Sequence, residues 1–203
     1  MDAAAEGGVR DERQTASAGP ADYARACVAA LVRGQAPPAA PQEPFYARPA
    51  ACFVSLKKHG DLRGCIGTLA PAEPDLGREI ARNARAAAFQ DPRFPPVRED
   101  ELEALSVSVD VLSPSEPCAL TDLDPSRYGV IVSTGFRRGV LLPDLPGVDT
   151  VARQVAIALQ KAGIAPDEDF TVARFTVDRY REGEAPRPGE AQAGPEGGSP
   201  SGT

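Results

Sequence analysis

The stretch Leu62-Arg63-Gly64-Cys65-Ile66-Gly67-Thr68-Leu69 sets an arginine and a thiol on either side of one glycine, with a second glycine two residues further on. Glycine lets a ligand or a second backbone approach closely. Arg63 offers a rigid fork of donors to a carboxylate or phosphate, and Cys65 is the nucleophilic group of the cluster. The same residues also suit a purely structural use, in which the glycines mark a bulge or tight packing and the thiol is a small core residue. Both readings stay open at this point.

Working outward, Ala51-Cys52-Phe53-Val54-Ser55-Leu56 has the apolar and aromatic content of a strand, and Lys58-His59-Gly60-Asp61 is a turn. Leu62 to Leu69 is then the return arm of a hairpin. A turn with an even number of residues makes Leu56 face Arg63 and Val54 face Cys65. That register puts Cys52 on the face of Cys65, diagonally from it, and a one-residue slip would separate them. In a regular strand Arg63 and Cys65 share a side.

Downstream, Pro74 to Phe89 reads as a helix with Leu76, Ile80, Ala84, Ala87 and Ala88 as its buried stripe, and Asn83 falls on or beside that stripe. A buried amide needs partners, so Asn83 bonds either to the hairpin or to a ligand. Gln90-Asp91-Pro92-Arg93-Phe94-Pro95-Pro96 stops the helix and projects Asp91 and Arg93 from a stiff turn. Arg98 to Ala104 is a short acidic helix, and Val107, Val109 and Val111 alternate as a strand. Upstream, Tyr23, Cys27, Ala30 and Leu31 recur at helical spacing, and the proline-rich segment 35–49 crosses the surface in extended form.

The order then repeats. Tyr128 to Ser133 and Gly139 to Leu142 form a second hairpin, Thr150 to Ala162 a helix closed by Gly163, and Phe170 to Val177 a last strand. The two copies share no residue pattern. The expectation is an α+β fold of two lobes, about 50–114 and 125–180, each built from a β-hairpin, a helix and a further strand. An N-terminal helix is extra, and a cleft lies between the lobes. Residues 1–19 and 183–203 are rich in Gly, Pro, Ala and charge and read as a disordered leader and tail around a domain at 20–182.

A chain of 203 residues can bury a real core without metal or disulfide support. The net charge is −7 and the arginines are scattered among acids, which excludes a basic nucleic-acid surface. No apolar run is long enough to span a bilayer and no export signal is present, so a cytoplasmic protein is expected. The four cysteines, Cys27, Cys52, Cys65 and Cys118, have no paired spacing and one histidine for company. Reduced thiols are expected, and no metal or cofactor is implied.

Four motifs together, Leu62 to Gly67, Asn83 to Phe89, Asp91 to Val97 and Val109 to Ser113, resemble the AMMECR-type domain family in order and spacing over about residues 21–180. Gly139-Val140-Leu141-Leu142-Pro143 is similar to that family's second-lobe strand. The chain departs from the family at Ile164 to Phe170, where a tryptophan is often found; this chain has none. The resemblance implies an α+β fold. For prokaryotic members it also implies association with a Memo-like protein and a radical S-adenosylmethionine (SAM) protein, with this chain as protein A of an AmmeMemoRadiSam system. It brings no established reaction.

Three uses of the motif follow. In the first, the chain is a ligand-binding or accessory subunit in which Arg63, Gly64, Cys65, Ile66, Gly67, Asn83, Asp91 and Arg93 hold a small anionic ligand or a partner's loop, and the partner proteins do the chemistry. In the second, it is an enzyme with Cys65 as nucleophile or redox thiol, Arg63 as substrate anchor, and Asp91 or His59 assisting proton transfer. In the third, the motif serves hairpin packing alone. The scarcity of titratable partners favours the first.

Overall fold

In the computed structural model, which describes residues 18–187, His59 and Gly60 both take left-handed backbone, with φ of 52° and 94°. That is the geometry a two-residue hairpin turn requires. It joins β1 (Cys52–Lys58) to β2 (Asp61–Gly67). Next to the turn the pairing is the expected one, Lys58 opposite Asp61 and Lys57 opposite Leu62. A bulge at Arg63 then inserts one residue, so Leu56 faces Gly64, Ser55 faces Cys65 and Val54 faces Ile66. An extra residue turns every later side chain to the opposite face. The expected Cys52–Cys65 proximity is therefore corrected: Cys52 faces the helical layer and Cys65 the other side of the sheet. All four cysteines are free.

α1 (Pro20–Val32) and the single-turn α2 (Pro44–Ala47) precede the hairpin, the latter inside the segment expected to be extended. α3 (Leu76–Phe89) begins after Pro74 because the Asp75 carboxylate accepts the Arg78 amide at 2.8 Å, an N-cap bond. A 3-10 turn (Glu99–Ala104) leads into β3 (Leu105–Leu112). The second half holds β4 (Glu116–Pro117), β5 (Gly129–Thr134), β6 (Arg137–Leu141) and α4 (Val151–Ala162), with Thr150 as N-cap and Gly163 left-handed at φ 64° as C-cap. The single last strand expected over 170–177 is two strands, β7 (Thr171–Phe175) and β8 (Val177–Arg181).

These two strands lie in different sheets. The first sheet runs β2-β1-β3-β8 and the second β4-β7-β5-β6, each entirely antiparallel. β3 followed by β4 lies antiparallel to β7 followed by β8, so one long ribbon crosses from sheet to sheet and the last strand of the chain, β8, completes the first sheet. The strands cross where the Ser113 amide donates to the Thr176 carbonyl at 3.0 Å and Ser113 Oγ accepts the Thr176 amide at 2.9 Å.

The register reveals a repeat that no residue pattern announced. Leu56 pairs with Gly64 and Val107, and Val132 pairs with Gly139 and Val172. A side chain at Gly64 would overlap the Ala87 carbonyl of α3, and one at Gly139 the Ala158 carbonyl of α4. Both glycines let a helix backbone rest on a strand backbone. Four residues before those carbonyls stand two buried amides in matching roles. Asn83 Nδ2 donates to the Cys52 carbonyl at 3.0 Å, and Gln154 Nε2 to the Tyr128 carbonyl at 2.7 Å.

One apolar cluster joins α1 and α3 to the first sheet, and a second joins α4 to the second sheet. A third lies between the sheets, where Ala51, Leu112, Ile131 and Phe175 are buried with Phe53 and Val177 against them. Burial of each such Val, Leu or Phe is worth about 1.5–3 kcal/mol. The expected leader and tail fall mostly outside the described residues. Within them, the Ala18 carbonyl accepts the Tyr46 hydroxyl at 2.6 Å and the Gly183 amide donates to Asp22 at 3.0 Å. No helix of the described residues is long and apolar enough to cross a membrane.

Candidate functional site

The face of the first sheet opposite α1 and α3 carries two rows of residues across all four strands. Gly67, Phe53, Asp110 and Arg179 form one, and Cys65, Ser55, Ser108 and Arg181 the next. Ser55 Oγ lies 3.2 Å from Cys65 Sγ, hydroxyl to thiol. Arg179 grips Asp110 through Nε at 2.7 Å and Nη2 at 2.9 Å. Asp110 is buried, and its hydrogen bond and charge raise the Arg179 pKa, with Asp144 of the second lobe adding to that rise.

The repeat supplies an internal comparison. Where the first sheet has Ser55, Cys65, Ser108 and Asp110, the second has Ile131, Val140, Ala173 and Phe175 at the same register positions. The fold is satisfied by apolar side chains there. The polar set in the first lobe is therefore not a requirement of the architecture, which singles out this face.

The residues expected to form the site divide into two groups. Cys65 and Gly67 belong to the polar face, and Gly67 is required because any side chain would run into the Phe53 ring. Asp91 and Arg93 stand at its edge. Asp91 Oδ2 accepts the Cys65 amide at 2.9 Å, Arg93 Nη2 donates to the Cys65 carbonyl at 3.3 Å, and the two side chains pair at 2.7 Å. They take the place of a neighbouring strand on the edge strand β2. The Arg93 guanidinium, followed by the Cys65 and Arg93 amides, holds the Asp91 carboxyl far below the usual carboxylate range. A carboxylate so fully used is a poor proton acceptor, contrary to its expected role in proton transfer.

The other group is structural. Arg63 turns toward the end of α3, where Nε and Nη2 grip Glu101 at 3.0 and 2.8 Å and Nη1 reaches the Pro95 carbonyl at 2.9 Å. Its fork is spent on the protein, so the expected anion anchor is a buried clamp instead. Arg63, then Lys58, pulls the Glu101 pKa down from 4.5 to about 2. Gly64 and Ile66 face the helical layer, and Asn83 bonds to β1. His59 is in the hairpin turn, four positions beyond Ser55 and so roughly 13 Å along the strand.

Ser55, Ser108, Asp110 and Arg179 were not among the expected site residues. A signal existed in Ser106-Val107-Ser108-Val109-Asp110-Val111, whose strict alternation gives one polar face to a strand in the middle of a sheet. Burial pushes the thiols of Cys27 and Cys52 up to about 11 and about 12, so neither competes with Cys65 as a reactive group. Among the described residues no group of three or more His, Cys, Asp or Glu could hold a metal.

Two interlocked antiparallel sheets with helices on their outer faces and one polar inner face define a two-lobed α+β protein. A family profile described as AMMECR1 matches residues 21–183. A Thermotoga maritima protein is 56% identical over 142 residues, which make up 68% of this chain and 82% of that protein. A Clostridium acetobutylicum protein is 52% identical over 130 residues, 64% of this chain, but the chain spans only 28% of its length. The crystal structure of an uncharacterised Pyrococcus horikoshii protein superposes with a TM-score of 0.73 at 30% identity, covering 82% of this chain and 92% of that one. The chain belongs to the AMMECR1 family.

Proposed function

We propose that this chain is a cytoplasmic accessory subunit that binds a small polar or anionic ligand, or a partner's loop, on the polar face around Cys65, Ser55 and Ser108. In this reading it acts with Memo-like and radical-SAM proteins, which carry out the chemistry. The observation that supports it is the contrast between the lobes, in which four polar residues stand where the repeat has Ile131, Val140, Ala173 and Phe175. Binding is favoured over nucleophilic catalysis because Cys65 has a serine hydroxyl as its partner. Asp91 is committed to the Cys65 amide and to Arg93, and the chain's one imidazole is distant. An enzyme with Cys65 as nucleophile would need a base within hydrogen-bond reach.

The test is alkylation of Cys65 by iodoacetamide, followed by peptide mass spectrometry, with and without a purified Memo-like or radical-SAM protein. Cys65 is expected to react in the free protein and to be protected in the complex. Unchanged labelling in a complex that demonstrably forms would refute this use of the face.

A further inference from the structure

We propose that Arg179 is the anchor for a carboxylate of the ligand bound on the polar face, a small acid whose body lies over Ser108, Ser55 and Cys65. The proposal rests on the binding reading above and names the chemistry of what is bound. Arg179 turns one edge of its guanidinium, Nε and Nη2, to Asp110 at 2.7 and 2.9 Å. Among the described residues Nη1 has no acceptor, and the side chain is 38% exposed. A guanidinium fixed on one edge by a carboxylate keeps its end edge, Nη1 with the second Nη2 hydrogen, in the bidentate geometry that suits another planar acid.

The other cations of the face do not offer this. Arg63 is clamped on Glu101 away from the face, and Arg93 divides Nη2 between Asp91 and the Cys65 carbonyl. Lys57 is exposed, and Arg181, 67% exposed, lies 3.8 Å from Glu184. Arg179 alone combines a buried acid that orients it with a free end edge; the Asp110 side chain is only 7% exposed. An ion pair so placed adds little to stability. The second lobe has Phe175 at the position of Asp110, so the architecture does not call for the pair.

Neighbouring groups set the direction of the ligand and its charge. Next along the strands from Arg179 and Asp110, Leu112 and Ala51 are buried against Ile131 and Phe175 of the second sheet, which closes that side. The ligand therefore extends the other way, over Ser108, whose hydroxyl has no partner among the described residues, toward the Ser55 and Cys65 pair. Asp144 of the second lobe adds its charge to that of Asp110 around the guanidinium. Two negative groups there oppose a doubly charged phosphate more than a singly charged carboxylate.

The test reads the anchor through Cys65, which stands two strands from Asp110, about 10 Å across the sheet. The full chain is treated with maleimidohexanoate, whose carboxylate hangs on a chain able to span those strands, and with the uncharged amide of the same reagent. Peptide mass spectrometry gives the rates at Cys65, with Cys118 of the second lobe as internal reference. At Cys65 the acid is expected to outpace the amide about tenfold or more, the gain from a charge-assisted bond made before reaction. Arg179→Gln combined with Asp110→Asn removes the pair without leaving a bare buried charge. This variant should abolish the advantage with no change at Cys118, whereas Arg179→Lys, which keeps the charge but not the fork, should retain part of it. Succinate should cancel the advantage more effectively than inorganic phosphate at equal ionic strength. Equal rates for acid and amide in the wild type, or an advantage that survives the double variant, overturn the anchor and leave partner binding at the face standing. Stronger competition by phosphate overturns the carboxylate, and a Cys65 that reacts with neither reagent in the folded chain overturns the anchor and the binding reading together.

Discussion

Asp91 Oδ2 accepts the amide of Cys65 at 2.9 Å, and this bond fixes the backbone of the thiol from outside the sheet. Cys65 sits on an edge strand, where its amide and carbonyl would otherwise be unpaired and open to a foreign strand. The Asp-Pro-Arg turn closes both, the carbonyl through Arg93. Asp91→Ala leaves the Cys65 amide without its acceptor and the Arg93 guanidinium without its carboxylate, and should cost about 1–3 kcal/mol. Urea unfolding measures this. A midpoint equal to wild type would show that the bond is dispensable.

The two glycines that carry the helices should be equivalent in effect. Gly64→Ala and Gly139→Ala each push a methyl group into a helix carbonyl, Ala87 or Ala158, and the cost expected for such overpacking is about 1–3 kcal/mol. Melting curves of both variants check this, and a neutral result at either position would break the structural equivalence of the lobes.

Arg63 holds Glu101 and the Pro95 and Pro96 carbonyls, and the Arg63 and Glu101 side chains are only 11% and 12% exposed, so its removal strands a buried carboxylate. Arg63→Met should destabilise by about 3 kcal/mol. Arg63→Lys, which lacks the fork, should recover only part of that. Because the guanidinium points away from Cys65, the alkylation rate of Cys65 in the folded variants should match wild type. A large change in that rate would return Arg63 to the site.

Acid should unfold the protein through the same contact. Glu101 has its pKa lowered from 4.5 to about 2 in the fold, and the Asp91 pKa is lowered in the same direction. A carboxyl depressed by folding stabilises fully above its unfolded pKa and loses that contribution as pH falls through the folded one. Stability should therefore fall between about pH 4.5 and pH 2, and Glu101→Gln should flatten that slope. A slope unchanged by Glu101→Gln would contradict the assignment.

Much of the fold could be read in the sequence, because helical periodicity marks α1, α3 and α4 and the His59-Gly60 turn marks the first hairpin. Even the register was correct at the turn. What failed was a single residue: the bulge at Arg63 has no signal beyond the glycine that follows it, and it alone reverses the face of Cys65 and so separates it from Arg63. The last strand was missed as two because Val177 to Arg181 pairs with β3, a partner some 70 residues away, and local pattern carries no information about such pairing. The site was half legible. Cys65, Asp91 and Arg93 stand out as residue types, whereas Ser55, Ser108 and Arg179 acquire meaning only when four strands bring them into line.

In the proposed function the polar face of the first sheet, and not the fold around it, does the binding. The most direct measurement gives that face the residues of the second lobe, with Ser55→Ile, Cys65→Val and Ser108→Ala combined, and compares the variant with wild type in partner binding by calorimetry and in melting temperature. The second lobe has Ile131, Val140 and Ala173 at these positions, so the variant is expected to fold with a melting temperature close to wild type and to lose the proposed binding to a Memo-like or radical-SAM protein. Wild-type affinity in the folded triple variant would contradict the account.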